Sequence, residues 1–81
     1  MTIKIKLAAI IKAERKKAGY SQEQLSAKAE ISNRFYQAIE ATEKQPSVNT
    51  VFKLAQALEL DYSALLAPVW KEWLRHEGKK R

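Results

Sequence analysis

Side chains able to do covalent chemistry are sparse in this chain. Its 81 residues include no cysteine, so thiolate nucleophiles, thiolate zinc sites and disulfides are all ruled out. Ser21 and Ser32 have no histidine or carboxylate placed to act as a base. The one histidine, His76, lies among charged residues and reads as a solvated surface side chain. Carboxylate pairs, metal-ligand clusters and glycine-rich phosphate loops are also missing, so the sequence predicts no enzyme, no catalytic residue, no metal and no cofactor. The chemistry left is hydrogen bonding. Ser32, Asn33, Arg34 and Gln37 bring a hydroxyl, two amides and a guanidinium to the start of one short segment. Those groups suit the edges of base pairs, because the major groove admits one α-helix and shows a distinct donor and acceptor pattern for each pair.

The elements that must position these groups are helical. Apolar residues recur at helical spacing, and glycine and proline number two each, so the chain reads as all-α with five or six helices. Leu7, Ile10, Ile11 and Ala18 mark a first helix stopped by Gly19. Ser21 caps a second helix running to about Ala29, and Gln24 three residues on completes a capping box. Ser32 caps a third helix whose inward positions are Tyr36 and Ile39, and Ala41 to Pro46 forms a loop. Ser47 caps a fourth, with Val51, Leu54, Ala55 and Leu58 on one stripe. Asp61 caps a short fifth helix holding Leu65 and Leu66. Pro68 then suits the first position of a final helix with Val69, Trp70, Trp73 and Leu74.

Two short capped helices separated by about three residues, from Ser21 to Glu40, have the arithmetic of a helix-turn-helix. On the segments ERKKAGYSQEQLSAKA, ISNRFYQAIE and QPSVNTVFKLAQALEL, the chain resembles the lambda-repressor/Cro-like (XRE-type) helix-turn-helix family over about Leu7 to Leu66. Small restriction–modification controller proteins and phage-type repressors share this layout. The resemblance implies a phosphate contact by Gln22, and base reading by Asn33, Arg34, Gln37 and Ala38. It also implies a structural ion pair between Arg15 and Glu40, and a core including Leu25, Ala29, Ile31, Tyr36, Ile39, Leu54 and Leu58. Three departures stand out: Glu30, Thr42 and Glu59 occupy positions where the family has glycine. A left-handed backbone there costs roughly 1 kcal/mol or more per residue. Phe35 replaces a usually polar residue, free to pack on a thymine methyl, on backbone sugars or on the neighbouring helix. Ser32 joins the expected DNA-binding set.

The net charge of +6 favours an anionic partner, here double-stranded DNA. Its distribution is uneven: residues 1–20 carry +5, residues 21–66 carry −2 and residues 67–81 carry +3. The N-terminal stretch is broken by Lys4, Lys6 and Lys12, so neither a signal peptide nor a membrane span is expected. A helix-turn-helix domain over residues 1–66 is followed by a helical extension and basic tail over 67–81. The stripe of Trp70, Trp73 and Leu74 either covers the domain's own core or pairs across a two-fold axis. The preferred account is a homodimer interface, joined by Leu65 and Leu66. The expected function is a cytoplasmic, nucleoid-associated regulator of bacterial or phage type, a repressor binding an inverted repeat as a homodimer. No membrane and no small-molecule ligand is evident. The alternative is a protein-interaction module, such as the antitoxin half of a toxin–antitoxin pair.

Overall fold

The computed structural model describes residues 3–78, and within them all regular structure is helical. Five helices follow one another: α1 (Ile3–Ala18), α2 (Gln22–Lys28), α3 (Asn33–Glu40), α4 (Val48–Ala57) and α5 (Tyr62–His76). The long α1 packs on α3 and α5, α2 on α3 and α4, and α4 on α5. Tyr36, Ile11, Leu25, Ile39, Leu54 and Leu65 are the largest side chains at the centre. They come from all five helices, so no helix pair could be removed without opening the core. Ile10 and Ile31 are half-buried at its edge, while Ala18 is exposed.

Local chemistry sets the helix limits. Ser21, Ser32, Ser47 and Asp61 each accept a hydrogen bond from the first turn of the helix they precede. At the other end, α1 to α4 close by one device. The residue after the cap turns left-handed, at Gly19 (φ 83°), Glu30 (60°), Thr42 (61°) and Glu59 (59°). Its N–H and the next N–H then fold back onto the last-turn carbonyls, as with Glu30 to Ala27 (3.1 Å) and Ile31 to Ser26 (3.0 Å). Tyr20, Ile31 and Leu60, each just past a left-handed residue, pack on the core. At Glu30 and Glu59 this apolar contact, with the two hydrogen bonds, holds a conformation that a non-glycine residue would not choose alone; at Thr42, followed by the exposed Glu43, the two hydrogen bonds act without it.

The C-terminal region departs from the sequence reading. The expected fifth and sixth helices are one helix, α5, with Pro68 inside it rather than at a helix start. Proline there removes one backbone hydrogen bond, at a cost of about 3 kcal/mol. Leu65 and Val69, on either side of the proline and one turn apart, are both buried in the core, and a break would pull them out of register. Among the described residues, no helix is long and apolar enough to cross a membrane.

Candidate nucleic-acid interface

The turn between α2 and α3 is short because the left-handed Glu30 reverses the chain in a single step. Ser32 then opens α3 by accepting from the Phe35 N–H at 3.0 Å. Asn33, the first residue of α3, is half-buried, with its Oδ1 3.4 Å from the Ser26 hydroxyl on α2. That contact ties the start of α3 to the bracing helix. Ser26 is itself almost fully buried and also donates to the Glu23 carbonyl at 3.0 Å.

Beyond these anchors, α3 is strongly two-faced. Tyr36 and Ile39 are buried, whereas Ser32, Arg34 and Gln37 are exposed on the opposite side. Phe35 is half-buried and packs against the core, so of its three expected environments the neighbouring-helix packing is seen. It nevertheless keeps an edge in an open concavity of about 600 Å³ that also takes in Ser32, Arg34, Gln37 and Ala38. Of the residues expected to meet DNA, these five share the concavity, whereas Asn33 is not among those lining it. Glu43 and Lys44, from the loop after α3, border the same concavity and carry no signal in the sequence.

The far end of α3 is held by Glu40. Arg15 on α1 donates to it from Nε at 2.7 Å and from Nη2 at 3.3 Å, and gives a third bond to the Tyr20 carbonyl at 2.8 Å. The pair expected from the resemblance is therefore formed, with the two side chains only 10% and 4% exposed. Two further donors reach the same carboxylate: the Gln22 amide at 2.8 Å and the Tyr36 hydroxyl. Both were invisible as partners, although Tyr36 stands four residues before Glu40, the spacing that stacks side chains on one helix face. Gln22, expected to meet a phosphate, thus first secures α2 to the end of α3. Burial pushes the Glu40 carboxyl up, but bonds from Arg15, Tyr36 and Gln22 outweigh it and hold the group below the usual carboxylate range. The Tyr36 hydroxyl is pushed well above its ordinary value, first by burial and then by bonding to Glu40. The Glu40 bond raises Arg15 further, against its burial.

The apolar stripe lies apart from this face. Trp70 and Trp73 stack with ring centres 5.5 Å apart, and with Ile3, Leu66 and Val69 they line a shallow groove. Trp70 is 58% exposed and Leu74 41%. Leu65, expected in this stripe, does not belong to it: its side chain is fully buried in the core and has no surface to lend a partner. Leu66, expected beside it, is half-buried and does line the groove. A second exposed apolar group, with no counterpart in the sequence reading, is formed by Val48 and the edge-to-face pair Phe52–Tyr62 on α4 and the start of α5. His76 is exposed and pairs with Glu72 at 3.0 Å, as a surface residue would. The basic tail Lys79 to Arg81 lies outside the described residues.

Comparison with known families matches residues 11–65 to the helix-turn-helix family. No curated protein and no solved structure matches the chain. The matched span covers more than half of the sequence and includes α2, the turn and α3 with their packing partners. With its two-faced third helix set by caps at one end and by Glu40 at the other, this chain belongs to the lambda-repressor/Cro-like (XRE-type) helix-turn-helix family of DNA-binding regulators.

Proposed function

We propose that the chain binds an inverted-repeat operator as a homodimer and represses transcription by occluding the promoter. Each copy lays the first turns of α3 in the major groove of one half-site. The observation that carries this reading is the division of α3. Its apolar side is locked in the core, and the hydroxyl of its cap Ser32, the Arg34 guanidinium and the Gln37 amide border one open concavity. Arg34 suits the guanine edge, Asn33 and Gln37 suit adenine, and the Ala38 methyl and Phe35 edge suit a thymine methyl. The Ser32 oxygen accepts from its own helix, which leaves its hydroxyl proton for the DNA. Gln22 spends one amide N–H on Glu40, and its second N–H is the phosphate donor.

A lone domain reads only a few base pairs, so dimerisation is needed for affinity. The stripe of Leu66, Trp70, Trp73 and Leu74 is the proposed two-fold surface, spacing the half-sites by about 34–36 Å, one turn of DNA. The place of action of such a bacterial or phage-type regulator is the cytoplasm, at the nucleoid, and exposed lysines of α1 add salt-sensitive phosphate attraction. Selection from random duplexes, followed by footprinting of the selected site, tests the proposal. An enriched inverted repeat protected on both half-sites is expected; uniform, sequence-independent binding refutes it. The stacked Trp70–Trp73 groove favours one second reading, a protein-interaction module such as an antitoxin. A stable complex with a second protein, made without DNA selectivity, would support that instead.

A further inference from the structure

The loop after α3 carries two opposite charges into the face proposed to meet DNA. Thr42 turns left-handed, and the N–H groups of Glu43 and Lys44 both bond the Ala38 carbonyl, at 2.9 and 3.2 Å. That closure draws the loop back over the last turn of α3. Both side chains are exposed and border the concavity shared with Arg34, Phe35, Gln37 and Ala38. A lysine there needs no special account, since any cation on such a face gains from the phosphates. A carboxylate does. Every phosphate repels it, as do the acceptor atoms of guanine (N7, O6) and of thymine (O4). Adenine sets its N6 amino group beside the N7 acceptor, so cytosine, through N4, is the base whose own edge offers a carboxylate a donor without an acceptor. No salt bridge engages Glu43 within the described residues, so an ion pair does not neutralise its charge.

We propose that Glu43 is a specificity-determining residue of the DNA-binding face. It selects a cytosine at one position of each half-site and lowers affinity for all other DNA. The inference rests on α3 being the DNA-reading helix. Raising specificity by penalising wrong partners is as effective as adding contacts to the right one. Glu43 does both with one group: it repels phosphate wherever the protein lands and recovers that loss only where an amino group meets it. Arg34 and Lys44, beside it, supply the attraction that makes such a penalty tolerable.

The test compares the full chain with Glu43→Gln and Arg34→Ala by selection from random duplexes and titration against a non-cognate duplex at fixed salt. Glutamine keeps the length of the side chain, removes the charge and can donate as well as accept. For Glu43→Gln, the cytosine preference at one position per half-site should fall by about five- to tenfold. Non-cognate binding should tighten several-fold, with the melting curve unchanged. A Glu43→Gln profile identical to wild type, beside an Arg34→Ala profile that changes, overturns the role of Glu43 and leaves the DNA-reading helix standing. If Arg34→Ala is also without effect on selectivity, α3 is not the reading helix and both proposals fall together.

Discussion

Replacing Glu40 with alanine should unfold the protein at much lower temperature without changing which DNA it prefers while folded. Three side chains meet at this carboxylate, and its loss strands all three donors at once: the Arg15 guanidinium, the Tyr36 hydroxyl and the Gln22 amide. Breaking a buried ion pair by removing one partner costs about 3–5 kcal/mol, because the remaining charge stays out of water. Arg15 keeps the Tyr20 carbonyl at 2.8 Å and a side chain 10% exposed, which places the expected loss near the lower end, about 3 kcal/mol. For a domain of this size each kcal/mol moves Tm by about 4–8 °C, so a drop of about 12–24 °C should appear in a thermal melt. Arg15→Met completes a double-mutant cycle, since methionine keeps the apolar stem and removes the charge. The single losses should exceed what the double mutant shows by at least about 1 kcal/mol, the signature of direct coupling. Strictly additive losses would refute the hub. So would a wild-type melt accompanied by lost DNA binding, which would turn Glu40 toward the operator.

Four further outcomes follow from the same structure. Glu30→Gly, Thr42→Gly and Glu59→Gly should each stabilise by about 0.5–1 kcal/mol, since each relieves a left-handed backbone; lowered denaturation midpoints would contradict this. The folded Glu40 carboxyl lies below its ordinary value of 4.5, so its contribution is present above that pH and lost as pH falls through the folded value. Tyr36 is shifted upward, and its contribution holds below about pH 10 and declines as the unfolded tyrosine ionises above it. Melts of Glu40→Gln and Tyr36→Phe should therefore shallow the acid and the alkaline limbs respectively. Arg34→Ala should cost roughly 1–3 kcal/mol of specific binding and relax one base pair per half-site, whereas Gln22→Ala should weaken all sequences alike and also lower Tm, because its amide holds Glu40. Competition against single-base operator variants separates the two. Trp73→Ala should turn a dimer into a monomer by removing an aromatic anchor typically worth about 2 kcal/mol or more. A folded mutant that still sediments as a dimer would move the interface to the exposed Val48, Phe52 and Tyr62.

The residues that decide local geometry were readable without any structure. Ser21, Ser32, Ser47 and Asp61 act within one helical turn, so their caps appear as sequence patterns, and the helix-turn-helix they frame is a matter of spacing along the chain. The alternation of Tyr36 and Ile39 with Arg34 and Gln37 likewise told the buried side of α3 from the exposed one. Other features depend on what lies across the fold. Pro68 looked like a helix start because proline suits that position locally; burial of Leu65 and Val69 by distant helices kept α5 whole. The same burial removed Leu65 from the surface, a fact set by α1 and α4 rather than by its neighbours in sequence. Gln22 and Glu40, eighteen residues apart, meet only because the turn at Glu30 brings the start of α2 to the end of α3. Glu43 and Lys44 join the exposed face of α3 through hydrogen bonds that fold their loop back, and loop residues carry no periodicity that would announce where they point. Hydrogen-bonding patterns within a turn are written in sequence order, whereas the company a side chain keeps across the core depends on how all five helices pack.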